Sequence, residues 1–137
     1  MVTNNGSKNN KLIFLERENV YIITKDFHFS ASHELKKLPE NHQCYRLHGH
    51  NYILKIELQS KDLDTYDFVL DYGKLSKIKI YIDKNFDHRH LNDVMENNNP
   101  TAELIAKHFY DLFKPDFPQI SAIHISETPK TWAVYRE

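Results

Sequence analysis

Three histidines and a cysteine fall in one short region of the chain: His33, then Cys44, His48 and His50 within the run Cys44-Tyr45-Arg46-Leu47-His48-Gly49-His50. His48 and His50 are two residues apart, so on a β-strand both imidazoles leave the same face. At a rise of about 3.3 Å per residue their Cα atoms lie about 6–7 Å apart, a workable bite for one zinc ion with Zn–N bonds of about 2.0–2.1 Å. Three neutral imidazoles with no fourth protein ligand are the pattern of a catalytic zinc site that keeps one position open. Taken alone, a His-x-His pair is more often two polar residues at a strand start. His33 at the end of a second strand-like run, and Cys44 four residues before His48, favour the metal.

The elements that must position these residues follow from the apolar pattern. From His48 to Leu58 one face reads His48, His50, Tyr52, Leu54, Ile56, Leu58, and the other reads Gly49, Asn51, Ile53, Lys55, Glu57, which is largely polar. That is a half-buried strand, expected over about His48 to Gln59. Gly49 between the two imidazoles leaves room for another backbone or a ligand. A preceding strand, about Val20 to Ser32, carries Tyr21, Ile23, Lys25, Phe27, Phe29, Ala31 and His33 on one face. If the two strands are antiparallel neighbours, the end of the first lies beside the start of the second and the three histidines meet.

Downstream, Asp71 is a plausible helix N-cap, and Leu75, Ile78, Ile82 and Phe86 recur at spacings of three and four. That helix runs into Asp87-His88-Arg89-His90-Leu91-Asn92-Asp93, which reads as a polar loop. A second helix opens at Asn97-Asn98-Asn99-Pro100-Thr101, with Glu103 complementing the positive end of its dipole and Ala102, Ile105, Phe109 and Leu112 as the buried face. Pro115 and Pro118 stop it. Two strands close the chain, about Ala122 to Glu127 and Trp132 to Tyr135, joined by Thr128-Pro129-Lys130. The order strand, strand, helix, helix, strand, strand predicts an α+β domain, an antiparallel sheet with two helices on one face.

Composition narrows the function classes. With 137 residues, 40% hydrophobic and 27% charged, the chain reads as one globular domain over residues 11–137 behind a polar, disordered tail over 1–10. The run Lys11 to Glu18 reads as a short strand or a lead-in. A net charge of −1 leaves no basic footprint for nucleic acid or an anionic membrane. No apolar run approaches a membrane span and no signal-peptide core is visible. One cysteine excludes an internal disulfide, which points to the reducing cytoplasm.

Four motifs in order carry a resemblance: Phe29-Ser30-Ala31-Ser32-His33, Cys44-x-x-x-His48-Gly49-His50, Phe86-Asp87-His88-x-x-Leu91-Asn92, and Ser126-Glu127-Thr128. Together, with the strand and helix order between them, they resemble the 6-pyruvoyltetrahydropterin synthase superfamily over roughly Val20 to Arg136. Within it the chain is most similar to the bacterial 6-carboxy-5,6,7,8-tetrahydropterin synthases of the queuosine (7-deazapurine) pathway. Three residues separate Cys44 from His48, as in that carboxy-forming branch, whereas the pyruvoyl-forming branch usually has a longer spacer. Phe86 stands where the family more often has leucine.

The resemblance implies the tunnelling fold, ββααββ, whose subunits associate through their sheets into a trimeric barrel, two of which stack into a homohexamer. It implies a pterin triphosphate substrate, 7,8-dihydroneopterin triphosphate, and Zn2+ as cofactor held by His33, His48 and His50. Cys44 matches the catalytic base, Asp87 and His88 a proton-relay pair, and Glu127 the acid that anchors the pterin ring. The reaction implied removes triphosphate and acetaldehyde and leaves 6-carboxytetrahydropterin, making the chain a zinc-dependent carbon–carbon lyase. Chemically the assignments are apt: a carboxylate accepts two parallel hydrogen bonds from a pterin amide and amino group, and an imidazole oriented by an aspartate shuttles protons near neutral pH.

His90 competes with His88 for the relay role. His28, His42, His108 and His124 read as surface or supporting residues, and Arg46 and Arg89 stay unassigned. Three alternatives remain: the pyruvoyl-forming synthase, which only eliminates triphosphate; a non-catalytic zinc- or pterin-binding module, which would not need Cys44, Asp87 or His88; and a zinc-free aldolase on the same fold, which leaves three converging histidines without a purpose.

Overall fold

A computed structural model describes residues 19–137. The tail over 1–10 and the run over 11–18 lie outside the described residues. The elements are β1 (Tyr21–His33), β2 (His48–Ser60), α1 (Ser76–Asn85), β3 (Arg89–His90), α2 (Leu91–Val94), α3 (Ala102–Phe113), β4 (Ile120–Thr128) and β5 (Thr131–Tyr135), with 3₁₀ turns at Gln43–Tyr45 and Tyr72–Leu75. The five strands form one sheet in the order β3-β1-β2-β4-β5.

The long pair β1–β2 organises the rest. It is antiparallel from Tyr21↔Ser60 to His33↔His48 without a break. Phe27 therefore faces Leu54, Phe29 faces Tyr52, Ala31 faces His50 and His33 faces His48. These side chains share one face, as period-two alternation requires; all are buried there except His48 and His50, which are half-buried. Phe29 stacks on Tyr52 with centroids 4.9 Å apart, and Phe86 meets Phe29 edge-on at 5.5 Å. The helices cover this face: Ile78 and Ile82 of α1 and Ile105, Phe109 and Phe113 of α3 belong to the same buried cluster as Leu54, Ile56 and Ile125. Fully burying a side chain of this size stabilises the fold by about 1.5–3 kcal/mol.

Two expectations need correction. The stretch after α1 is not all loop: Arg89 and His90 pair in parallel with Ala31 and Ser32, and Leu91–Val94 forms a helical turn. A two-residue strand has too few positions to show alternation, so no pattern could announce it. The buried stripe of α3 is Ile105, Ala106, Phe109, Tyr110 and Phe113, whereas Leu112 is 41% exposed. The buried stripe is rotated from the expected face toward Ala106 and Tyr110.

Capping follows the expected chemistry. Asp71 accepts the Gly73 N–H at 2.9 Å, although the turn it opens is 3₁₀ before α1 begins. Thr101 Oγ1 accepts the Leu104 N–H at the start of α3. The outer face of β2 holds one surprise. Glu57 is only 8% exposed, accepting from Ser121 Oγ at 2.6 Å and from Arg136 at 2.9 Å.

Candidate metal centre

The β1–β2 register brings the three histidines together. One ring nitrogen from each of His33, His48 and His50 lies within 4.8 Å of the others. His33 is fully buried at the last position of β1, and His48 opens β2 directly opposite. Gly49 fits this closeness, since a Cβ there would stand 3.2 Å from the Ala31 carbonyl oxygen. A side chain at 49 would push on the strand that spaces the imidazoles.

The hydrogen bonds fix which nitrogens are free. His33 Nδ1 lies 2.8 Å from the Pro100 carbonyl, and His48 Nδ1 lies 2.7 Å from the Arg46 carbonyl. A carbonyl only accepts, so each Nδ1 carries the proton and each Nε2 keeps a lone pair. Yet the two Nε2 atoms face each other at 2.9 Å. Two lone pairs at that separation repel unless a shared cation or proton lies between them. His50 Nε2 stands beside them, buried with no hydrogen-bond partner among the described residues. The carboxylate of Glu127 stands 3.8 Å away, beyond hydrogen-bond reach.

Electrostatics favours the neutral, ligating form. Burial holds His33 down at about 4, against the pull of the Pro100 carbonyl and with help from His48 and His50. His50 is also lowered, by burial first and then by His48. Such imidazoles resist protons and suit a metal, and carbonyls orienting the far ring nitrogens are the usual support for zinc-bound histidine. The donor set therefore fits a zinc ion with room for a further ligand.

Glu127, near the end of β4, lines a cavity of about 200 Å³ with Glu103, Thr101, Thr131 and Trp132. Its carboxyl is raised above the ordinary value, by burial and then by the Glu103 charge. From the sequence, Glu103 is placed only as a partner of the helix dipole. Its place beside Glu127 depends on α3 packing against β4, which no local pattern reveals.

Cys44 sits half-buried in the 3₁₀ turn before β2. The Leu35 N–H donates to its carbonyl at 3.0 Å and its own N–H donates to His42 Nδ1 at 3.0 Å. Among the described residues its thiol makes no hydrogen bond, and it is not part of the histidine set.

Asp87 and His88 occupy the far side of β1. Asp87 Oδ1 accepts the Ser30 N–H at 2.9 Å, the His88 N–H donates to the Ser30 carbonyl at 2.6 Å, and His88 Nδ1 stands 3.0 Å from Asp87 Oδ2. The Ser30 N–H is the largest influence holding the Asp87 carboxyl below its usual value, and the His88 contact acts in the same direction. His88 has φ 58°, a left-handed backbone, and its side chain is 80% exposed. The pair and the Cys44 thiol share no hydrogen bond within one chain. His88 and His50 do border one open cavity of about 610 Å³.

Comparison with known proteins agrees with this geometry. A family profile described as 6-pyruvoyl tetrahydropterin synthase matches residues 22–137. The 6-carboxy-5,6,7,8-tetrahydropterin synthase of Bacillus subtilis is 30% identical over 126 residues, 83% of this chain and 84% of the relative. The protein of the same name from Synechocystis is 31% identical over 122 residues, 85% of this chain and 93% of the relative. Among solved structures, the 6-pyruvoyl tetrahydropterin synthase of Caenorhabditis elegans superposes with a TM-score of 0.75 at 26% identity, covering 90% of this chain and 99% of that one.

Proposed function

The chain belongs to the 6-pyruvoyl tetrahydropterin synthase family and has its tunnelling fold, and from that premise we propose that it is a zinc-dependent 6-carboxytetrahydropterin synthase. It converts 7,8-dihydroneopterin triphosphate to 6-carboxy-5,6,7,8-tetrahydropterin, releasing acetaldehyde and triphosphate, in queuosine biosynthesis. The observation that carries the reading is the set of three imidazole nitrogens within 4.8 Å, two of them aimed at each other as lone pairs. The names of the 30–31% identical relatives and the three-residue spacer between Cys44 and His48 favour the carboxy-forming reaction.

In this reading His33, His48 and His50 hold the zinc, which when bound supplies Lewis-acid polarisation of the substrate's side-chain oxygens. Cys44, on the turn leading into β2, takes protons from the side-chain carbons. Asp87 orients His88, whose exposed ring carries protons to and from solvent. Glu127 receives the amide and amino hydrogens of the pterin ring in the cavity it shares with Glu103. In the proposed ring of chains the site is completed across a chain boundary.

Incubation with 7,8-dihydroneopterin triphosphate and mass spectrometry of the products tests this function. The expected result is 6-carboxytetrahydropterin with acetaldehyde and triphosphate in equal amounts. A pterin that keeps all three side-chain carbons, with no acetaldehyde, assigns the chain to the pyruvoyl-forming reaction instead.

A further inference from the structure

Among the described residues β1 ends at His33, and the backbone of Glu34 beyond it pairs with no strand. Backbone donors and acceptors left without partners are costly, and here one side chain satisfies both. The Glu34 N–H donates to Asn92 Oδ1 at 2.9 Å, and Asn92 Nδ2 donates to the Glu34 carbonyl at 2.8 Å. β3 pairs Ala31 with Arg89 and Ser32 with His90. Glu34 and Asn92 each stand two positions further along. The amide therefore adds a rung to the parallel ladder, in register, where its own backbone has already turned into α2.

Glu34 lies between two parts of the site. Before it stands His33, whose Nδ1 is 2.8 Å from the Pro100 carbonyl. After it comes Leu35, whose N–H donates to the Cys44 carbonyl at 3.0 Å and ties the turn bearing the thiol to this point. The stretch from Asn92 to Pro100 extends the same contact. Lys36 N–H donates to the Asn98 carbonyl at 3.0 Å, and Lys37 N–H to Asn99 Oδ1 at 3.1 Å. That stretch is itself folded back, with Asn97 N–H donating to the Asn92 carbonyl at 3.1 Å. We propose that Asn92 is a positioning residue whose amide sets the spacing between the His33 ring and the Cys44 thiol. It acts through the backbone of Glu34. The inference rests on the proposed zinc site and lyase function, in which that spacing decides whether the thiol reaches the substrate's side-chain carbons.

An amide suits the task because it carries a donor and an acceptor at fixed separation. Reversed, it would set its NH₂ against the Glu34 N–H and its oxygen against the Glu34 carbonyl. Aspartate has nearly the same shape and keeps the acceptor, but it puts a second oxygen against that carbonyl. Asn92→Asp thus breaks one of the two bonds without leaving a hole, and Asn92→Ala removes both.

Three measurements on the whole chain test the clamp. Cys44 is the one cysteine, so alkylation by iodoacetamide reports on its turn alone. In Asn92→Asp and Asn92→Ala that rate should rise several-fold, because a released turn opens the thiol to solvent. Competition with a chromogenic chelator should show zinc held about ten-fold more weakly, the low end for loss of support behind a ligand. With 7,8-dihydroneopterin triphosphate, kcat should fall about 10²-fold in Asn92→Ala, with KM within about two-fold. Asp71→Ala removes the cap of the 3₁₀ turn before α1 and serves as the control for a general loss of stability; it should leave all three unchanged. Wild-type alkylation and zinc binding in both Asn92 variants overturn the proposal, as does an equal change in Asp71→Ala. Unchanged kcat in both Asn92 variants overturns it too, since the spacing then does not govern the reaction. A wild-type protein that binds no zinc or turns nothing over refutes those assignments instead, and the alkylation rates then decide for or against the clamp. Should Asn92→Ala fail to fold, the isosteric Asn92→Asp carries the same readouts.

Discussion

His33 Nε2 and His48 Nε2 face each other at 2.9 Å across the end of the β1–β2 ladder, each with its second nitrogen committed to a backbone carbonyl. The arrangement asks for a cation. Purified protein should carry about one zinc per chain by elemental analysis. His48→Ala or His50→Ala should lose it, because each removes one of three ligands. Zinc at full occupancy in both variants, or none in the wild type, would sink the metal assignment.

Cys44→Ala should fold, keep its zinc and bind substrate, because the thiol makes no hydrogen bond in the described structure and lies outside the histidine set. Turnover should fall about 10²–10⁴-fold, the usual cost of losing a general base. Steady-state kinetics and metal content on the same sample decide it. Near-normal turnover would move the base to an imidazole.

The sheet has two open flanks. Among the described residues β3 pairs only with Ala31 and Ser32, so there β1 from Tyr21 to Phe29 has no strand on that side, and β5 is the other outer strand. Unpaired edges of this length invite pairing. The expected assembly is a closed ring of chains, a hexamer of two stacked trimers, measurable by light scattering. A monomer at working concentration contradicts it.

Arg136→Ala should destabilise the fold by about 1–2 kcal/mol at neutral pH, because it strips donors from the buried Glu57. Burial alone would raise the Glu57 carboxyl, but Ser121, Arg136 and His124 together hold it below its ordinary 4.5. A depressed carboxylate contributes stability above its unfolded value and loses it as pH falls through the lower, folded one. The penalty of Arg136→Ala should therefore shrink at acid pH. Denaturant titrations at pH 7 and below the folded value check this; an equal loss at both pH values would show that Arg136 acts through packing.

What could be read from the chain was whatever depends on local spacing. Alternation placed β1 and β2 to within a residue or so, and because side-chain period is two, it also placed His33, His48 and His50 on one face. Asp71 declared its turn through side-chain chemistry. What stayed hidden depends on partners distant in sequence. β3 exists because His90 meets Ser32, 58 residues away, and Glu57 is buried because the chain's end returns over it. Glu103 reaches Glu127's cavity only once a helix and a strand have packed. In α3 the buried stripe runs through Ala106 and Tyr110 and leaves Leu112 at its edge, a choice between adjacent faces that packing on the sheet decides.

His88 holds its left-handed backbone without being glycine. That conformation costs a residue with a Cβ about 1 kcal/mol. His88→Gly should relieve the strain and raise the melting temperature while abolishing the imidazole. In the proposed relay, durability and turnover are thus set against each other at a single peptide unit, and a lineage drifting toward glycine at 88 would grow sturdier as it lost that proton carrier.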